Sequence, residues 1–275
     1  MKLTQEKQPM ISVVMITYNH EAFIGEAIEG ILMQLCDYEI ELIIADDCST
    51  DNTGIVIKQY IDTHPKGYWI KYSYHENNKG MIPNFLWALQ QAKGNYIALC
   101  EGDDYWLDSN KLKNQLEFLT TNPACSFVCN DIIHINQNGS MRQDRWPGIS
   151  SELKINFRLL GEEYPVATNT LFFRGDFLRK ILTKLTRMEY KNILGDYFLI
   201  SLLLTQGPGY YFPNKVAAYR HHENSNFSSN SIKNKVNRGL LTRKILLGYF
   251  VMNMQLGYAM IACKNYLRVK KRYHE

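Results

Sequence analysis

Several familiar signals are missing from this 275-residue sequence. Its six cysteines, Cys36, Cys48, Cys100, Cys125, Cys129 and Cys263, never take a C-x-x-C spacing and mostly sit inside apolar runs. That argues against a zinc site or a disulfide framework and predicts reduced core thiols in a cytosolic protein. No G-x-G-x-x-G follows the first strand-like run and no G-x-x-x-x-G-K-[ST] occurs, which removes the dinucleotide fingerprint and the phosphate loop. The opening MKLTQEKQPM has no apolar core of the kind a secretory signal needs, so export by that route is not expected. No internal repeat, low-complexity tract or linker divides the chain, so one unit is expected over 1–230, followed by a helical segment over 231–275. Acids are nearly absent from that segment. Ten Lys/Arg face only Glu275, giving +9 there and leaving −5 for the rest of a chain whose overall charge is +4. Such a basic stretch suits an anionic surface, and the acidic remainder favours lipid headgroups over nucleic acid.

What is present is ordinary globular composition, 45% apolar and 21% charged, on a chain long enough to bury a sizeable core. Ile11 to Ile16 is a short β-branched run that reads as a buried strand. Phe23, Ile24, Ala27, Ile28, Ile31 and Leu32 then repeat with helical spacing. Ile40 to Ala45 is a second strand, ending at Asp46-Asp47-Cys48-Ser49-Thr50-Asp51, where Ser49, Thr50 or Asp51 can cap the next helix. Trp69 to His75 alternates as a third strand, Phe85 to Leu89 belongs to a third helix with Gly94 at a C′-like position, and Tyr96 to Cys100 is a fourth strand. Strands and helices alternating through short connections predict right-handed crossovers and a mainly parallel, Rossmann-like α/β sheet flanked by helices. Further on, Cys125 to Ile135 and Asn169 to Arg174 read as strands, Asp176 to Leu185 and Asp196 to Leu204 as helices, and Tyr210 to Tyr219 as one or two short strands; 148–168 is ambiguous.

In open α/β sheets the ligand lies beyond the carboxyl ends of the strands. Three polar clusters stand at those ends: Thr17-Tyr18-Asn19, Asp46-Asp47, and Glu101-Gly102-Asp103-Asp104. Lacking a phosphate loop, such an edge can hold phosphates through a hard divalent cation bound by one or two carboxylates. A turn of helix-capping acids is the plainer reading, but acids gathered on one edge repel each other unless a cation or ligand needs them. Asp196, opening a hydrophobic helix, fits either a general base facing a cleft or a simple cap.

The ordered set TYN, ADDCSTDNT and YIALCEGDDYW resembles the family 2 inverting glycosyltransferases of GT-A fold, most closely from Ile11 to Trp106 and more weakly to Ser228. The resemblance implies transfer of a sugar from a nucleotide-diphosphate donor, of UDP type, to an acceptor hydroxyl on a glycan or lipid-linked glycan of a bacterial surface. It implies Mn2+ or Mg2+ as cofactor. Thr17, Tyr18 and Asn19 would line the nucleotide pocket, with the Tyr18 ring against the base; simple packing of that ring over the sheet edge is the alternative. Asp47 would accept a hydrogen bond from the base, and Asn78, Lys79, Gly80 and Asn84 match the family's third contact segment. Asp103 takes the metal position. Glu101 stands where the family usually has Asp, so its part at ribose or metal is left open, and Asp104 would hold the loop or the sugar. Asp196 matches the family's base, with Glu162 or Glu163 next in line. Tyr219-Arg220-His221-His222 resembles its Y-R-x-H stretch, giving Arg220 to the diphosphate and His222 to metal or phosphate; an exposed histidine pair is the alternative. Asn169, Thr170 and Arg174 resemble the acceptor-side strand. A sugar-nucleotidyltransferase would carry a glycine-rich basic signature that ISVVMITYNH lacks, and a non-catalytic binding module is hard to reconcile with Asp47, Asp103 and Asp196 together.

Ile245 to Cys263 is nineteen residues without a formal charge between basic flanks. Asn253, Gln255, two glycines and two tyrosines dilute it as a span. A helix lying on an anionic leaflet is expected, peripheral on the inner face of the cell membrane. Packing on the domain, packing on a second copy in a homodimer, and a true span are the alternatives.

Overall fold

The computed structural model describes residues 11–144, 146–162, 164–185, 195–223 and 231–274. In chain order these form β1 (Ile11–Thr17), α1 (Ile24–Leu32), β2 (Ile40–Asp46), α2 (Thr53–Thr63), β3 (Ile70–Tyr74), α3 (Met81–Gln91), β4 (Tyr96–Leu99), β5 (Tyr105–Trp106) and α4 (Lys111–Thr121). The second half contributes β6 (Phe127–Asn136), β7 (Leu153–Ile155), α5 (Phe157–Glu162), β8 (Phe172–Arg174), α6 (Gly175–Leu185), α7 (Gly195–Leu203), β9 (Gly209–His221), α8 (Ile232–Met252) and α9 (Leu256–His274).

The nine strands among the described residues join one sheet in the order β3-β2-β1-β4-β8-β6-β9-β5, with β7 against β9. The first four run parallel, as the alternating pattern predicts, with Thr17 in register with Asp46. Beyond β4 the sheet is mixed: β8 is antiparallel to β4 and β6, while β6 and β9 are parallel. Because successive strand residues face opposite sides, the β-branched runs feed two cores. Val14, Ile43 and Ala45 meet α3, α7 and the C-terminal helices on one face. Val13, Met15, Leu42 and Ile44 meet α1, α2 and α4 on the other.

Four local expectations are corrected. Asn169 and Thr170 lie in a 3-10 turn, Thr168–Thr170, so the strand there starts at Phe172. Tyr210 to Tyr219 falls inside one 13-residue strand, bent by a register shift opposite Asn130 and Asp131. Gly94 is no left-handed cap; it is glycine because a Cβ there would stand 2.5 Å from the Ser12 amide. The 245–263 stretch is not one helix: α8 ends at Met252, Met254 turns with φ 55°, and α9 begins at Leu256. No helix among the described residues is long and apolar enough to cross a membrane. Leu246, Tyr249, Phe250, Ala259 and Ala262 of this hairpin are buried in the same core as α3 and α7. A buried large apolar side chain contributes about 1.5–3 kcal/mol and a surface ion pair about 0–1 kcal/mol, so packing rather than charge holds the hairpin on the sheet.

Candidate active site

The carboxyl ends of β1, β2 and β4 are tied into one floor by long-range backbone bonds. The Asp47 amide donates to the Thr17 carbonyl (2.9 Å), and the Gly102 amide to the Ile16 carbonyl (3.0 Å). Gly102 has to be glycine: a Cβ would fall 2.7 Å from Thr17 Oγ1. Thr17 is buried, Tyr18 is exposed, and Asn19 turns with φ 54° while its side-chain oxygen accepts the Thr50 amide (2.8 Å). The buried Asp47 carboxylate accepts the amides of Lys79 (2.7 Å) and Gly80 (2.9 Å), and its carbonyl accepts Asn78 Nδ2 (3.0 Å). Asp47 thereby pins the third contact segment against the second strand, with Gly80 at φ 87° starting α3. Asn84 does not line this cleft. It is buried, donating to the Ala45 carbonyl (2.9 Å) and pairing through Oδ1 with His75 Nε2 (3.0 Å), so it braces the floor from beneath.

Beside this floor Asp103 Oδ2 lies 2.9 Å from His222 Nε2 and 3.9 Å from His20 Nε2. His20 escaped the sequence reading, although it directly follows the TYN cluster. It is oriented by Thr17 Oγ1, 3.2 Å from Nδ1. Burial lowers the His20 pKa against the opposing pull of Asp103. Burial works against ionisation of Asp103 too, but His20 and His222 outweigh it and hold that carboxyl below its ordinary range. Glu101 goes the other way. Burial, then the Asp103 charge, pushes it up to about 8, and its shielded Oε2 has no hydrogen-bond partner among the described residues. An unpartnered buried polar atom costs about 1–3 kcal/mol, which marks a place kept for something else to fill. Two imidazoles, one ionised carboxylate and an orphaned carboxyl fit a divalent cation. A cavity of about 360 Å³ adjoins the cluster, lined by Asn19, Phe23, Thr50, Asp51 and His222 among others.

The neighbouring residues hold the cluster in place. Asp104 is buried, accepting Asn169 Nδ2 (2.9 Å) and the Arg220 amide (2.9 Å); burial and its acidic neighbours raise its pKa well above normal. Of its two expected parts, the loop rather than the sugar has it. Arg220 was expected at a diphosphate. Its buried guanidinium instead donates to the carbonyls of Asp103 (3.1 Å) and Gln137 (3.2 Å) and to the Glu26 carboxylate. Of the three acceptor-side residues, Asn169 reaches the loop of the cluster through Asp104, and the other two do not. Thr170 is buried, bonding to the main chain of Asn130 and Ala167, and Arg174 donates to the carbonyls of Leu119 and Cys125 at the far end of its strand. The histidine pair is not an exposed pair: His222 is buried against Asp103, and His221 faces the other side of the sheet.

Asp196 lies in the first turn of α7, within electrostatic range of Glu101. Its Oδ2 accepts the Tyr164 hydroxyl (2.8 Å) and Thr168 Oγ1 (3.4 Å), and neither bond uses Oδ1. Tyr164, deep in a segment with no readable periodicity, was missed by the sequence reading. Burial, then Asp196, keeps its phenol protonated well above the usual range. Glu163, Asn192, Ile193, Leu194 and Ser228 lie outside the described residues, as does the side chain of Glu162.

The chain is similar to several known proteins. An uncharacterized protein of Mycobacterium bovis is 34% identical over 164 residues, 60% of this chain and 46% of that protein. The putative teichuronic acid biosynthesis glycosyltransferase TuaG of Bacillus subtilis is 33% identical over 133 residues, 48% of this chain and 50% of that one. This chain thus spans about half the length of these curated relatives. Among solved structures, TarS of S. aureus in complex with UDP-GlcNAc superposes with a TM-score of 0.70 at 18% identity, covering 96% of this chain and 73% of that one, so the two share the GT-A fold. Residues 12–181, more than half of the chain, match the family described as Glycosyl transferase family 2. With its strand order, its carboxylate-bearing strand ends and that match, the chain belongs to the family 2 glycosyl transferases.

Proposed function

We propose that this protein transfers a sugar, with inversion, from a UDP-type nucleotide-diphosphate donor to an acceptor hydroxyl in bacterial surface-glycan synthesis. The observation that carries the reading is the meeting of Asp103, His222 and His20 beside the unpartnered Glu101 Oε2, at the open edge formed by the first, second and fourth strands. Asp103 and His222, with His20, would hold Mn2+ or Mg2+, and a bound ion supplies charge neutralisation for a leaving diphosphate. Two imidazoles beside one carboxylate favour Mn2+ over Mg2+, which prefers all-oxygen shells. Tyr18 offers an exposed ring for the base, and Thr17, Asn19, Asp47, Lys79 and Gly80 shape the nucleotide pocket. Asp196, held by Tyr164 and Thr168, serves as the base that takes the acceptor's proton. The enzymatic unit is residues 1–230, with the helical hairpin as its appendage. Nucleotide release from a panel of UDP-sugars, with and without Mn2+, tests this directly. One donor is expected to yield UDP in an ion-dependent manner; absence of both nucleotide release and UDP binding would refute it.

The hairpin carries a second, finer proposal, peripheral attachment to the inner face of the membrane. Around its turn Met252, Met254, Leu256 and Met260 are 71%, 85%, 67% and 58% exposed, and Lys264, Arg268, Lys270, Lys271 and Arg272 follow on α9. Exposed apolar side chains next to cations suit an anionic lipid interface. The paired substitution Met254→Asp and Leu256→Asp should cut cosedimentation with anionic vesicles at least tenfold, since each lost apolar insertion is worth about 1.5–3 kcal/mol. Unchanged vesicle binding would remove the membrane role from this tip. Loss of a concentration-dependent dimer in that variant would assign the face to a second copy of the chain instead.

A further inference from the structure

Successive residues on a strand face opposite sides of the sheet. His221 closes β9, and where the chain leaves the strand His222 turns to Asp103 while His221 keeps its place on the other face. There it meets His134 of the parallel neighbour β6: Asn136 pairs with His221, and His134, two residues earlier, shares their face. His134 Nδ1 is 2.9 Å from His221 Nε2, and Asp144 Oδ2, from the loop after β6, is 3.8 Å from the same nitrogen. The three ligand atoms lie within 4.8 Å of one another. We propose that His134, Asp144 and His221 form a second metal site, for a transition ion of the Zn2+ class, separate from the Asp103 cluster.

Two imidazoles and a carboxylate select Zn2+, Co2+ or Ni2+ over Mg2+ and Ca2+. Zn–N bonds of about 2.0–2.1 Å place neighbouring tetrahedral ligand atoms roughly 3.3 Å apart, between the two separations found here. The surroundings are those of a built site. His134 Nε2 sits 2.5 Å from the Trp146 carbonyl, which can only accept, so Nε2 carries the proton and Nδ1 keeps its lone pair toward the cluster. Arg142 Nε donates to the same Asp144 Oδ2 at 2.5 Å, so an ion would share that carboxylate with the guanidinium, and Arg142 is itself held by Asn136 Oδ1 at 3.0 Å. Metal-ligating carboxylates are commonly hydrogen-bonded in this way. His134 is buried while Asp144 is exposed, which leaves an entry path.

Metal here would fasten the loop after β6 to the sheet. That loop carries Trp146, whose indole N–H donates to the Tyr164 carbonyl (2.9 Å) and whose ring stacks on Tyr164 with centroids 6.2 Å apart. Tyr164 in turn holds Asp196. The site is therefore structural, a brace behind the proposed base, and it stands or falls independently of the glycosyl-transfer reading.

The test uses the full chain carrying Asp103→Asn, which weakens the other cluster, titrated with Co2+ and then challenged with Zn2+. One Co2+ per chain should bind, giving visible ligand-field bands and a change in Trp146 emission that is absent in Trp146→Phe; Zn2+ should displace it and Mg2+ should not. Adding His221→Gln should weaken binding by at least tenfold, the lower end of what loss of even an outer-shell partner does. Because Asp144 lies on an exposed loop, Asp144→Asn supplies the same comparison without disturbing the fold. Absence of Co2+ binding in the Asp103→Asn chain, or binding unchanged by both His221→Gln and Asp144→Asn, would show a hydrogen-bonded histidine pair and no metal site.

Discussion

Asp196→Asn is expected to lower turnover by about 10²–10⁴-fold, the range for loss of a general base, with UDP-sugar affinity little changed. The asparagine keeps the size of the side chain and an oxygen that can accept the Tyr164 hydroxyl at the 2.8 Å seen for Asp196, so the first turn of α7 should stay in place. What it loses is the capacity to take a proton. A helix-capping role predicts a different outcome, because Asn caps about as well as Asp. Among the described residues, moreover, the carboxylate bonds to Tyr164 and Thr168 and not to amides of its own helix. Turnover and donor affinity measured on this one variant separate the two roles. A rate within about threefold of wild type, far short of the general-base range, would shift the base to another carboxylate, with Glu162 and Glu163 first to be tried. Tyr164→Phe should give a smaller loss that leaves donor affinity intact, because Asp196 would be loosened and not removed.

The second large effect belongs to Asp103. In Asp103→Asn, Mn2+-dependent UDP binding should disappear, with affinity in the presence of Mn2+ falling to the ion-free level. Loss of an outer-shell partner already costs roughly 10–100-fold in metal affinity, and Asp103 is placed to bind directly. The fold should survive, because the Gly102 amide, the Asp104 carboxylate and the Arg220 bond to the Asp103 carbonyl oxygen all fasten this loop and the substitution leaves them untouched. Calorimetry with UDP, with and without Mn2+, gives the affinities. Thermal unfolding gives an independent measure: a ligand at one hundred times its Kd stabilises by about 2.7 kcal/mol, and that increment with UDP and Mn2+ together should vanish. Wild-type metal-dependent affinity in the variant would take the ion away from Asp103.

The parallel half of the fold was written in local pattern. Ile11 to Ile16 and Ile40 to Ala45 are too short and too β-branched for helices, and the intervening helical spacing from Phe23 to Leu32 leaves a crossover as the only compact solution. Once those strands lie side by side, TYN, Asp46-Asp47 and Glu101 to Asp104 must share an edge, so their convergence was legible without coordinates. What each polar group does there was not. Asp104 and Arg220 are 116 residues apart, and only the pairing of β5 with β9 lets the Arg220 amide satisfy Asp104 and spends its guanidinium on the loop that carries Asp103. In the same way Asn84 is turned beneath the floor, while His20 is drawn to Asp103. Sequence period tells which face of an element is buried, but adjacent histidines such as His221 and His222 receive opposite partners only when a neighbouring strand fixes the register. The hairpin at Met254 follows the same logic: its residues 245–263 satisfy the composition of one helix, and it is burial of Phe250 and Ala262 in a core shared with α3 and α7 that folds them into two. Local sequence determined the elements and the edge at which chemistry gathers. Tertiary structure decided which of those side chains remain open to a ligand, because a polar group's partner is set by contacts that close only when the chain is folded.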